Sequence, residues 1–470
     1  MAQLTHWKRR LKDELVDSSK MGTFFSSPSI DFLCRRHGHV WRDSFWSPTL
    51  TLLTFLLQVL DGAKTLRAAV ATLLVHLAAR GESDLPSCDP SAYCQARRRV
   101  PWPLIADLLG HVARALRRRV SAAAAAQNSP SGDWLGHRVW IVDGSSVSMP
   151  DTPELQKAFP QPPGQKIGCG FPVAQLVAVF CWSSGAIVDA VLDTLRPHEL
   201  TLFRRAWALL QSGDVVLADR AYCAFVDMAR LLQRGVFGVF RLHQRRKADF
   251  RAGRRLGHDD RLVVWSRPER WIPSYGISRE EFEQLPPTLT VRLVRVTHVP
   301  RGFRSRTVVL VTTLLDPVEA PADPIRALYR DRWTAELNLR SLKTQLGMDV
   351  LRGQSEDVVR KEILMHLLAY NLIRMLMWEA ACEHRRPLHR LSFTGTLHRR
   401  RALQPWMMLE HSAQTASALL NVLRSWIAQD VVPDRPGRVE PRRRKRRPKE
   451  YSLLQQPRSH YHHYGDLHAR

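Results

Sequence analysis

The chain of 470 residues carries 70 Lys and Arg against 44 Asp and Glu, a formal charge of +26. At roughly 100 to 200 residues per domain, that length supports two to four domains with a large buried core. The positive excess calls for a polyanionic partner, and a basic tail does not absorb it. Residues 433–450 hold nine Lys and Arg against three acids, which leaves about +20 on the remainder.

The longest apolar runs, 49–60 and 68–79, are 12 residues each and include Gln58 and His76, short of the ~18 to 20 residues that span a bilayer. No transmembrane helix is expected. Residues 1–20 scatter charges and lack an apolar centre, so no secretory signal is expected either. Seven cysteines with no C-x-x-C pair argue against a disulfide framework or a four-thiolate zinc site, and a reducing cytoplasm fits that usage.

Residues 30–119 read as helical, with Pro48, Pro86, Pro101 and Pro103 marking breaks or first turns. Within them, 91–100 and 103–116 are a candidate helix-turn-helix pair for DNA ends, with a packing or dimerisation role as the rival reading. Cys34, His37 and His39 lack a fourth ligand and do not read as zinc. The alanine run 122–126 and the polar stretch after it suggest a boundary near residue 130. Strands are then predicted at 137–142, 173–182 and 186–192, as a meander. A helix at 199–211, a strand at 214–218, a helix, and a strand at 236–242 follow. Residues 243–306 are basic and carry a strand at 288–297. A strand at 307–315 precedes a helical stretch from Pro324 to about Gly347. Helices are expected at 358–384 and 412–428, and residues from 433 onward are too charged and Pro-rich to pack.

The fold class is therefore α/β. The expected organisation is a helical N-terminal domain (1–130), a mixed-sheet core (131–242 and 307–385) and a basic β-rich insertion (243–306). A helical C-terminal region (386–432) and a basic disordered tail (433–470) complete it.

The chemistry is concentrated near residue 336. At about 100° per residue, Tyr329, Arg332, Glu336 and Lys343 fall within a stripe roughly 60° wide on one helix. Arg330, Asp331 and Arg340 read as a solvated face. A carboxylate flanked by two cations and a phenol suits a site for metal and phosphate. Asp143 and Asp219 each end a short apolar run, where a carboxylate is costly to bury without a cation; each also reads as a cap or turn former. With Glu336 they form a set of oxygen donors suited to two Mg²⁺ ions about 3.5 to 4 Å apart.

Three motifs carry a resemblance to a known family. Tyr329, Arg332, Glu336 and Lys343 match the spacing Y-x2-R-x3-E-x6-K without a gap. Val142-Asp143-Gly144-Ser145 and Ala218-Asp219-Arg220-Ala221-Tyr222 match the two acidic motifs that precede it. Over about 130–375 the chain resembles the DDE transposases of bacterial insertion sequences, in particular the insertion-sequence-4 group. The resemblance implies a ribonuclease-H-like core that cuts DNA at element ends and joins the freed 3′-hydroxyl to a target. It implies that Asp143, Asp219 and Glu336 are catalytic and bind Mg²⁺ or Mn²⁺, as two ions. Arg332, Lys343, Tyr329 and Arg220 would hold DNA phosphates, and Trp333 would stack on an unpaired base.

Trp265 and Trp271 in the insert read as packing aromatics. The run 241–261, with eight Lys and Arg against three Asp, joins Arg301, Arg304 and Arg306 as a surface for duplex backbone. Residues 162–170 lack P-loop spacing, so no nucleotide is expected. The implied partners are double-stranded DNA, as terminal inverted repeats and as target, and a second copy of the chain on paired ends. The implied setting is a bacterial cytoplasm at the nucleoid, with no membrane partner. The alternatives are a non-transposing DNA-binding descendant and a nuclease with the same core.

Overall fold

The computed structural model describes residues 24–42, 44–62, 64–79, 81–126, 133–298, 306–409, 412–433, 451 and 453–462. The first 20 residues, the 127–132 bridge, Arg301, Arg304, the basic run 434–450, His463 and His468 lie outside the described residues. The chain divides into two units: residues 1–118, 149–158 and 340–434 form one, and residues 119–148, 159–339 and 435–470 the other. This division differs from the expected ranges in returning the 340–385 stretch to the helical unit.

The helical unit is built from Ser27–Arg36, Pro48–Leu60, Leu66–Ala79, Ser91–Arg99, most of Trp102–Ala126, and four later helices, among them Glu356–Glu383 and Ala413–Gln429. Ser26 and Ser47 cap the first two, each accepting from a backbone N–H three residues on, and each helix opens with Pro in its first turn. Glu356–Glu383 is buried nearly all round its middle, the signature of a helix at the centre of a bundle. Two of its buried charged residues, Lys361 and Glu362, have hydrogen-bond partners. Lys361 Nζ donates to Arg98 O at 2.7 Å and to Asp357, and Glu362 accepts from the backbone N–H groups of Arg352 and Gly353.

The other unit is a single nine-stranded sheet of order β3-β2-β1-β4-β5-β9-β8-β7-β6. The strands are β1 Val139–Ser148, β2 Val173–Cys181, β3 Ile187–Thr194, β4 Val215–Ala218, β5 Phe237–Arg241, β6 Arg254–Gly257, β7 Asp260–Ser266, β8 Thr288–His298 and β9 Arg306–Thr312. The first three form the predicted antiparallel meander, while β1, β4 and β5 run parallel. That is the ribonuclease-H-like arrangement. The parallel strands read as unbroken apolar runs because both faces are covered: Val139–Val142 and all of β4 are buried. Helix Phe225–Gln233 and the segment Glu199–Leu210 supply Phe203, Trp207, Val226 and Met228 to the core against the sheet.

The insertion does not stand apart. β6, β7 and β8 extend the same sheet beyond β9, held by antiparallel pairing throughout. Arg292 on β8 is 0% exposed and forms a two-pronged pair with Asp260, at 2.8 and 2.5 Å, while a further N–H donates to Ala320 O at 2.6 Å. Trp271 donates to Ile277 O at 2.9 Å, and Arg246 lies 4.0 Å over the Trp265 ring, so both insert tryptophans are engaged within the insert.

Part of the stretch expected as a disordered tail is ordered. Tyr451 stacks on Phe171, Leu454 N–H donates to Cys169 O at 3.0 Å, and Arg458 N–H donates to Gly168 O at 3.1 Å, ahead of the short helix Arg458–His462. Gly168 has φ +77° and no side chain, which lets Pro457 lie directly on it. Mean composition conceals this, because a few aromatic and apolar residues suffice to dock an otherwise charged segment.

Candidate active site

The pairing of β1 with β4 sets Val139 beside Val215, Trp140 beside Val216 and Ile141 beside Leu217. Continued two residues along parallel chains, that register brings Asp143, midway along β1, level with Asp219, the residue that follows β4. The backbone of Asp219 is still extended there (φ −79°, ψ −174°). Asp219 Oδ1 then accepts from Ala221 N–H at 2.7 Å and caps the 3₁₀ turn Arg220–Tyr222. The turn-former and site readings of this residue therefore coexist. Arg220 is exposed on that turn.

Asp143 is half-buried between β4 and β2, where its register partner is Ala178. Its carboxyl is raised to about 6, chiefly by burial and further by the charges of Glu336 and Glu199, against the downward pull of the Gly144 N–H and the Arg332 charge. Glu336 therefore acts on Asp143, although 193 residues separate them in the chain.

The signature helix is not one continuous α-helix. Ala322–Asp331 ends at Arg332, Trp333–Arg340 begins a second segment, and Ser341–Gln345 is a π-helical turn carrying Lys343. The expected stripe at a constant 100° per residue is thus interrupted twice. Arg332 lies at the joint and donates from Nη2 to Glu336 Oε1 at 2.7 Å. Its guanidinium lies 5.8 Å from the centre of the half-buried Tyr329 ring, whose phenol is raised by burial. Asp331, expected on a solvated face, accepts from Trp182 Nε1 at 2.9 Å and ties the helix to the end of β2. Trp333 is 46% exposed. Lys343 belongs to the helical unit, as the other signature residues do not.

One acid was not anticipated. Glu199, the first residue of helix Glu199–Arg205, accepts from Gln175 Nε2 at 2.9 Å and from the Tyr222 hydroxyl at 3.5 Å. A Cβ on Gly144 would meet Glu199 Oε1 at 2.3 Å, so the carboxylate lies against the backbone next to Asp143. Burial and then the charge of Asp219 raise its pKa. The buried Tyr222 phenol is raised well above its ordinary value by burial and then by Glu199, Asp143 and Asp219. Four acids thus share one neighbourhood. In the sequence, a Glu in the first helical turn reads as an ordinary partner of the helix dipole; only Gly144 beside Asp143 hinted at a close approach.

The donor set is entirely carboxylate oxygen, the chemistry of a hard divalent cation. Among the described residues no Arg or Lys forms an ion pair with Asp143, Asp219 or Glu199. The chemistry and charge therefore fit a metal. Among the described residues, no three His, Cys, Asp or Glu side chains are grouped closely enough to ring an ion as they stand. No helix of the described residues is long and apolar enough to cross a membrane.

The chain is 27% identical over 305 residues to the transposase InsG for insertion sequence element IS4 of Escherichia coli (strain K12), covering 64% of this chain and 63% of that one. It is 26% identical over 168 residues to the putative transposase y4zB of Sinorhizobium fredii (strain NBRC 101917 / NGR234), covering 35% and 43%. The match thus spans less than two thirds of either relative. Among solved structures, the piggyBac transposase in its synaptic complex with hairpin DNA aligns with a TM-score of 0.37 at 9% identity, over 64% and 59% of the two chains. The family described as the transposase DDE domain matches residues 134–372, half of the chain and all three acidic motifs, and the chain belongs to that family.

Proposed function

We propose that this protein is an insertion-sequence transposase that cuts DNA at the ends of a mobile element and joins the freed 3′-hydroxyl to target DNA. The observation that supports it most is the level register of Asp143, within β1, and Asp219, just past the end of β4, on adjacent parallel strands, with the charge of Glu336 felt at Asp143. Asp143, Asp219 and Glu336 are the residues to hold divalent metal, Mg²⁺ or Mn²⁺, as two ions. Bound there, the metal would activate the attacking oxygen and stabilise the leaving oxygen in displacement at phosphorus.

The remaining residues position DNA. Arg332, Lys343 and the exposed Arg220 supply charge for phosphates, Tyr329 packs beside Arg332, and Trp333 presents an exposed ring to an unpaired base. The fixed positive charge of the chain favours double-stranded DNA, both terminal inverted repeats and target, through counterion release. Two DNA ends call for two protomers, so the working unit is a homodimer on paired ends, acting at the bacterial nucleoid.

The test is cleavage of a labelled duplex carrying the inverted repeats that flank the gene, in Mg²⁺, followed by joining to a plasmid. Wild-type protein should nick at the repeat boundary and join the product. Asp219→Ala should bind the same duplex without cutting it. Cleavage at the normal rate by that variant overturns the assignment, while cutting without joining would favour a nuclease.

A further inference from the structure

Among the described residues, the α/β unit pairs its buried carboxylates with cations. Asp214, Asp227 and Asp260 each receive a guanidinium, from Arg138 at 2.6 Å, Arg204 at 2.6 Å and Arg292 at 2.5 Å. Such pairing is the ordinary condition for burying a charge. Glu199 is half-buried, and it receives only neutral donors, the Gln175 amide and the Tyr222 hydroxyl. Neutral donors fix the direction of a carboxylate and leave its charge in place. That is one way in which a ligating acid is held by its surroundings.

The space around Glu199 points the same way. Gly144 clears the position its Oε1 occupies, since any side chain there would begin 2.3 Å from that oxygen. The carboxylate is thereby admitted next to Asp143, and its other acidic neighbour is Asp219. The nearest guanidinium of the signature, Arg332, is engaged with Glu336.

We propose that Glu199 is a fourth acid of the divalent-cation site, aimed by Gln175 and Tyr222 and admitted by Gly144. This rests on the reading of Asp143, Asp219 and Glu336 as the metal-holding set, and the experiment separates the two. Mn²⁺ binding to the full chain is measured by titration calorimetry without DNA, for wild type, Glu199→Gln, Gly144→Ala and Asp143→Asn. Thermal unfolding in EDTA is recorded for each. Gln keeps the shape and an acceptor oxygen while removing the charge. Gly144→Ala keeps the charge and displaces the carboxylate.

Both Glu199→Gln and Gly144→Ala should weaken Mn²⁺ binding at least tenfold. Glu199→Gln should unfold in EDTA at or above the wild-type temperature, because a repelling charge is gone. A structural staple would do the opposite: a lower unfolding temperature in EDTA and unchanged Mn²⁺ affinity. Wild-type affinity in Glu199→Gln overturns the proposal, as does wild-type affinity in Gly144→Ala should Glu199→Gln not fold. If Asp143→Asn also binds as wild type, the underlying metal reading fails; if only Asp143→Asn loses binding, the role of Glu199 alone fails.

Discussion

Arg332 Nη2 lies 2.7 Å from Glu336 Oε1, an i to i+4 ion pair that bridges the joint between the helices Ala322–Asp331 and Trp333–Arg340. The pair links a phosphate-binding candidate to a metal-binding one, so each side chain helps aim the other.

Arg332→Lys should therefore separate function from stability. The Glu336 end of the pair is 36% exposed, and a partly exposed pair contributes only ~0 to 1 kcal/mol. Lys preserves charge and loses the planar fork needed to hold a carboxylate and a phosphate together. End-DNA cleavage should fall at least tenfold while denaturant unfolding shifts by less than about 1 kcal/mol. Wild-type cleavage would return Arg332 to a surface role.

Asp143 predicts a pH dependence in metal-free protein. Its carboxyl is raised to about 6 from an ordinary 3.8, so the folded chain holds that proton more tightly than the unfolded one. The associated stability is present below about pH 4 and is lost as pH rises through 6. Asp143→Asn should stabilise the EDTA-treated protein by ~1 to 3 kcal/mol at pH 7.5, with the gain fading toward pH 4. Urea denaturation at several pH values checks this, and a pH-independent difference would contradict it.

Trp333 is 46% exposed and adjoins Arg332. Stacking of one base on such a ring contributes roughly 1 to 3 kcal/mol. Trp333→Ala should weaken capture of a duplex end carrying an unpaired base by about 5- to 100-fold, with little effect on fully paired DNA. Quenching of 2-aminopurine placed at that base is the direct measurement; equal quenching by the variant rules out stacking.

The Arg292–Asp260 pair predicts a stability effect remote from the site. Both partners are buried, and removing one strands the other's charge. Asp260→Ala should cost about 3 to 5 kcal/mol in chemical denaturation. A cost below about 1 kcal/mol would mean that Arg292 escapes to solvent in the variant.

Much of the α/β unit was legible because its strands are short apolar runs bounded by turn residues. The predicted strands 173–182, 214–218 and 236–242 correspond to β2, β4 and β5 within two residues at each end. The apolar run predicts the first strand only as far as Val142, yet β1 continues through Asp143 to Ser148. A polar run of Asp, Gly and Ser looks like a turn locally, but pairing with β2 over nine residues keeps it extended. Conversely, the signature segment looks like one helix, because nothing in its composition marks the joint at Arg332 or the π turn at Ser341–Gln345.

The sequence by itself determined the basic charge, the mixed α/β class, the spacing of Tyr329, Arg332, Glu336 and Lys343, and the two aspartates that precede them, since these depend on residue identity and local periodicity. Tertiary structure alone decided that Asp143 and Asp219 stand level across parallel strands, that the insertion extends the same sheet, and that Glu199 reaches the acids from another helix. Those relations depend on pairing register and on side chains meeting across tens of residues of chain, and local pattern carries no record of either.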